Sequence, residues 1–200
     1  MAMAKKSAKR VRRPDLDRER GVEIAQALFH ARGYDAVSVA DLTEALDINP
    51  PSLYAAYGSK LGLFERVLRN YTATDFLSMD KLLAPGQNPA HALTELFVAA
   101  ARHYTRNPKR LGCLITEAMR ADDPEAAATA IALAEPGVAA IRDYVAAHAA
   151  PKDVERIVDY VLLNLRGLSS YACLAYSQEK LVECSRIAGR ALQAEFEAKA

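Results

Sequence analysis

Between residues 38 and 60 the chain gathers side chains suited to holding an oxyanion: Ser38, Asn49, Ser52, Tyr54, Tyr57, Ser59 and Lys60. Hydroxyls, an amide and the free backbone N–H groups of a helix start all donate to phosphate oxygens. Lys60 stands where a helix is expected to begin, and the helix dipole disfavours a cation there unless an anion lies beside it. The chemistry on offer is recognition of a polyanion, not bond-making. The sequence has no nucleophile elbow, no phosphate-cradling glycine loop, no recognisable catalytic pair of acids and no metal-ligand cluster. Asp122, Asp123 and Glu125 read as the acidic start of a helix. His30, His91, His103 and His148 lack ligand spacing, so neither a metal nor a cofactor is expected.

The charge distribution points the same way. The 200-residue chain has a net charge of +1, yet residues 1–13 carry six basic side chains (Lys5, Lys6, Lys9, Arg10, Arg12, Arg13) and no acid. Of the 26 basic residues, 20 remain against all 25 acids, so residues 14–200 are at −5. A basic arm on a mildly acidic body fits a polyanion partner at one end; taken alone, it fits a solvated leader equally well. Cys113, Cys173 and Cys184 are odd in number and form no CxxC pattern, which argues against a disulfide framework or a zinc site and for a reducing cytoplasm. No apolar run approaches the roughly 18–20 residues that span a bilayer, and no apolar segment follows the basic start as a secretory signal requires.

The elements that must position these residues are helical. The chain is rich in Ala and Leu, and it shows no strand pattern or internal repeat. Val22, Ala25, Leu28 and Phe29 mark the buried face of a first helix that begins near Asp15 and stops at Gly33. Ser38 caps a second, with Asp41 at the capping-box position and Val39, Leu42, Ala45 and Leu46 on its inner side. Asp47-Ile48-Asn49 is the break. Pro50 and Pro51 suit the start of a third helix, capped by Asn49 and ended by Gly58. Ser59 caps a fourth, from Lys60 to about Leu77. Further helices are predicted at 90–106, 109–121, 124–149, 152–176 and 178–197, with a break or kink at Pro136-Gly137. Two short helices joined by about three residues outline a helix-turn-helix, whose second helix enters the DNA major groove.

The run "ALFHARGYDAVSVADLTEALDINPPSLYAAYGSKLGLFERVL", within Gly21 to Leu68, resembles the N-terminal domain of the TetR/AcrR family of regulators. The matching positions are Gly33-Tyr34, Ser38-Val39, Ile48, Ser52-Leu53-Tyr54, Tyr57, Ser59-Lys60 and Leu63-Phe64. Arg110–Met119, "RLGCLITEAM", is similar to a Gly-Cys-Leu segment of many members' regulatory domains. The resemblance implies an all-α fold: a basic arm over 1–14, a three-helix DNA-binding domain over 15–60, and a ligand-binding and dimerisation domain over 61–200. It implies a cytoplasmic regulator of transcription, a repressor released from a palindromic double-stranded operator by a small-molecule effector. Ser38, Val39, Asn49, Pro51, Ser52, Tyr54, Tyr57 and Lys60 match DNA-contacting positions, and Leu53 a buried one. Asp47 stands where the family often has Gly. Ala40 and Pro50 stand where relatives can carry base-reading polar side chains, so thymine-methyl contacts and DNA shape are expected to supply part of the specificity.

The resemblance also implies that helices 152–176 and 178–197 pair with their mates in a homodimer. Val154, Ile157, Val158, Val161, Leu162, Leu165 and Leu168 form an apolar stripe on the first, and Leu181, Val182, Ile187, Leu192 and Phe196 line the second. Core and interface must share them. The helices over 90–149 are expected to enclose the ligand, with Phe97, Tyr104, Leu114, Met119 and Tyr144 as lining candidates, although each fits plain core better than ligand contact. Cys113, beside Lys109 and Arg110, reads either as an inert small hydrophobe or as a reactive sensor. A helical adaptor that binds only protein is the competing function, but it has no need of the Ser52–Lys60 cluster.

Overall fold

The computed structural model describes residues 18–197, so the basic arm expected over 1–14 lies outside them. The described residues hold ten α-helices and one 3-10 turn, and no strand.

The head is built from α1 (Arg18–Arg32), α2 (Val39–Ala45), α3 (Pro50–Tyr57) and α4 (Lys60–Thr74). Gly33 adopts φ +79° and closes α1 by donating to the Phe29 carbonyl, a left-handed stop that favours a residue without Cβ. Phe29, Leu42, Leu53 and Phe64 are wholly buried, and the Phe29 and Phe64 rings meet edge-on at 4.8 Å. Across α1 and α4, the buried Gln26 accepts from the Asn70 amide at 2.8 Å, so its polar end costs little.

The body continues from α4 through α5 (Met79–Leu82), α6 (Pro89–Thr105), α7 (Leu114–Ala118), α8 (Pro124–Ala146), a 3-10 turn at Pro151–Asp153, α9 (Val154–Cys173) and α10 (Gln178–Glu197). The central α6 packs against both α9 and α10. Gly189 lets α10 approach closely: a Cβ there would fall 2.3 Å from Thr94 Oγ1.

Three sequence expectations are corrected. The helix over 109–121 shrinks to α7, because Gly112 at φ +77° turns the chain under α9, where a Cβ would meet Cys173 Sγ at 2.5 Å. The break at Pro136-Gly137 does not occur and α8 runs through it. Proline removes one helical hydrogen bond, but the helix is fixed on both sides by buried Ala126, Ala130, Ile141 and Val145. The fourth helix ends at Thr74, capped by Asp75, rather than near Leu77, and the stretch after it holds α5, which the sequence did not suggest. On α9 and α10, where core and interface were expected to share the apolar stripes, Ile157, Val158, Val161, Leu181 and Leu192 are buried within the single chain. The apolar side chains left exposed there are Leu163, Tyr171, Leu174 and Ile187.

Candidate nucleic-acid interface and cavity

The outer edge of the head is set by local capping. The Ser38 hydroxyl accepts the Asp41 backbone N–H at 3.1 Å, and the Asp41 carboxylate accepts the Ser38 N–H at 2.7 Å, completing a capping box. Arg32 reaches across from the end of α1 to the same carboxylate at 2.7 Å. The Ser38 hydrogen bond, followed by that of Arg32, holds the Asp41 carboxyl well below the usual carboxylate range. At α3 the Asn49 side chain accepts the Ser52 N–H at 2.9 Å, and Pro50 and Pro51 occupy the first turn, where no N–H is missed. Asp47 takes φ +50°, the left-handed conformation that the turn requires and that Asp tolerates.

These caps leave one face of side chains in solvent: Ser38, Asn49, Pro50, Pro51, Ser52 and Tyr54, with Val39 partly covered. Tyr54 is 49% exposed, whereas Leu53 beside it has no exposure and fixes α3 to the head. Tyr57 is placed differently from its neighbours. Its ring is buried and its hydroxyl donates to the Arg18 carbonyl at 3.2 Å, because one turn after Leu53 the helix again faces inward. It is a packing residue of the head rather than part of the exposed face. Lys60 is half-buried, with its Nζ 4.0 Å from the centre of the Tyr34 ring. Burial lowers its pKa, and the charges of Asp35, Asp123 and Asp41 oppose that. The ring and these acids provide the compensation that a cation at a helix start needs.

Three contacts tie the head to the body. The Tyr34 hydroxyl donates to Asp123, the residue capping α8, at 2.9 Å; the Asp122 N–H donates to Asp35 at 3.0 Å; and His30 Nε2 lies 3.3 Å from the Gly112 carbonyl oxygen. Burial depresses the pKa of His30 below its ordinary value. Beyond Gly112, the Cys113 N–H donates to the buried Ser169 hydroxyl at 2.9 Å, which in turn donates to Glu117 at 2.9 Å.

Behind this junction lies a predominantly apolar cavity between α4, α6, α7, α8 and α9. It offers about 60 Å³ in its present shape, against roughly 300–1,000 Å³ for pockets holding drug-sized ligands. Of the five lining residues expected from sequence, Tyr104 and Met119 line it. Phe97 is buried against Tyr160, Leu114 faces the head–body junction, and Tyr144 is buried beside His148 with its hydroxyl unpartnered. Nothing in the sequence marked Tyr71, Phe76, Ile141 and Arg166 as lining residues, since they come from three distant stretches of the chain and share no pattern. Cys113 forms part of the wall, on the same lining as Tyr71 and Tyr104. Burial, reinforced by Cys113, pushes both phenols far above their ordinary value.

A short helix with an exposed polar and apolar face, braced by a capped partner and two longer helices, defines a helix-turn-helix module on a helical body. Residues 22–67 match the family model for bacterial regulatory proteins of the tetR family. Over 175 residues, 88% of each chain, the sequence is 37% identical to the HTH-type transcriptional repressor BdcR of Escherichia coli K12. The fold matches a cysteine mutant of the TetR family regulator CifR, solved with 26-base-pair operator DNA. The TM-score is 0.78 at 32% identity, over 90% of this chain and 99% of that one. It also matches a TetR regulator of Chloroflexus aurantiacus at a TM-score of 0.73 and 19% identity, over 89% and 94% of the two chains, a likeness of fold. The chain belongs to the TetR family of bacterial transcriptional regulators.

Proposed function

We propose that this protein is a homodimeric repressor that binds a palindromic double-stranded operator through the exposed face of α2 and α3, and that a small molecule in the body cavity releases it. The observation that carries this reading is the pair of capped helices presenting Ser38, Asn49, Pro51, Ser52 and Tyr54 together, while Leu53 and Tyr57 hold that face rigid from behind. Ser38 and Ser52 contact phosphates, Tyr54 reaches a phosphate or a thymine methyl, and Val39 and Pro51 pack on sugar and methyl groups. Lys60, at the edge of this face, pairs with a phosphate by shifting from the Tyr34 ring.

A second copy docks along α9 and α10, where Leu163, Tyr171, Leu174 and Ile187 await cover. The cavity communicates with the head through two elements. Tyr71 sits on α4, the helix shared by head and body, and Cys113 follows Gly112, whose carbonyl faces His30. A ligand larger than the cavity must displace one of these elements, which changes the separation of the two heads.

The test is selection of bound fragments from a genomic library by the purified protein at two salt concentrations. A recovered palindrome, bound with affinity that falls steeply as salt rises, is the expected outcome. Absence of sequence enrichment from a folded dimer overturns the operator reading. Tyr54→Ala weakening binding by roughly tenfold or more, with an unchanged melting temperature, would place the contact face as proposed.

A further inference from the structure

The cavity wall is biased in charge. Its groups able to carry a positive charge are His103 on α6 and Arg166 on α9, and no Asp or Glu lines it. His103 is half-buried, and burial depresses its pKa. Asp75 lies 4.0 Å from it but is already engaged by Arg106. Arg166 is different. It is exposed to solvent while lining the cavity, which puts it at the mouth. It forms no hydrogen bond or ion pair with any described residue, whereas Arg106, Arg120, Arg142 and Arg156 of the same body each hold a carboxylate.

The rest of the wall is apolar or aromatic, with Tyr71, Phe76, Ile141 and Leu165 prominent. An apolar chamber with an unengaged guanidinium at its rim is shaped for a ligand with two ends. One end gains by leaving water. The other is a planar anion that accepts two parallel N–H donors, as a carboxylate does from arginine.

We propose that the cavity takes a compact amphipathic carboxylate, its apolar body among Tyr71, Ile141 and Leu165 and its carboxylate on Arg166. The effector role of such a ligand rests on the reading of the cavity given above. Leu165 and Arg166 adjoin on α9, and Ser169 on the same helix accepts the Cys113 N–H. The ligand therefore bears on both the α9 wall and the segment that carries Gly112 to the head.

Matched probes separate charge from shape: octanoate and 3-phenylpropionate against octanamide and 3-phenylpropanamide. Binding is read by calorimetry and thermal shift on the full chain, and release by fluorescence anisotropy on the recovered operator. Arg166→Gln and Arg166→Lys are measured alongside, their ligand-free melting temperatures reporting folding. The carboxylates are expected to bind at least about tenfold more tightly than the amides. That preference is lost in Arg166→Gln and partly kept in Arg166→Lys, since lysine keeps the charge but not the fork. Amides binding as well as acids, an unchanged preference in Arg166→Gln, or no binding of either probe type would each overturn the carboxylate assignment. Carboxylates that bind through Arg166 without releasing DNA would uphold the site and overturn its effector role. Release by amides and acids alike would uphold the effector role and overturn the charge selection.

Discussion

At the outer edge of the head, Ser38 and Asn49 accept backbone N–H groups three residues further on, and those two bonds orient the whole exposed face. The cavity in the body is closed instead by side chains from α4, α6, α7, α8 and α9, and no local bond sets their positions. The head is a scaffold of short-range instructions. The body is a consequence of long-range packing. A binding surface that must fit one fixed partner is served by the first arrangement. A chamber that must yield to a ligand is served by the second, where packed helices shift as units.

The largest effect is expected from removing what braces the head. Leu53→Ala should cost about 2–5 kcal/mol, the range for a large buried side chain cut to alanine. Operator binding should vanish, while hydrogen exchange in α6, α9 and α10 stays slow; equal loosening of both regions would show that head and body do not unfold separately. Gly112→Ala attacks the body instead. It forces a Cβ into a φ of +77° and against Cys173, so a loss of roughly 1–3 kcal/mol is expected in thermal unfolding. Its effect on the head passes through the His30 contact and through α7, which packs on α4, and effector-dependent release should change more than operator affinity does.

Smaller changes sharpen the contrast. Asn49→Ala should cost about 1 kcal/mol and Asn49→Gly only a few tenths, the mark of an N-cap; equal losses would assign Asn49 another role. Tyr34→Phe removes the hydroxyl that holds Asp123, and the effector concentration releasing DNA should shift by about threefold to tenfold. The smallest effect is in pH. Burial lowers the pKa of His30 from its ordinary 6.5, so an open junction takes up a proton that the closed one resists. The stability of neutral His30 is complete above the unfolded value and is lost as pH falls below it toward the lowered folded value. Melting temperature should therefore decline from about pH 7 to about pH 5, and His30→Gln should flatten that limb; an unchanged slope would place the proton uptake elsewhere.

Much of the head was legible from the sequence because its signals are local. Ser38 with Asp41, Asn49 before two prolines, and Gly33 and Gly58 as stops each act within four residues, and each cap is found where those types predict it. Tyr57 shows where this ends. Its residue type fits phosphate contact as well as core, and only the packing of α3 on α1 turned it inward to the Arg18 carbonyl.

In the body, sequence by itself determined that there would be helices, and about where, since apolar spacing and proline punctuation are read along the chain. It did not determine which apolar stripe is core and which is interface. Burial depends on what another helix covers, and α6 took the face of α9 expected to be shared, leaving Leu163 and Tyr171 outside. Nor did it place Arg166 beside Tyr71 and Ile141, which meet only after α4, α8 and α9 have docked. Caps and turns are set by neighbours in sequence, whereas a cavity is set by the space that distant helices fail to fill.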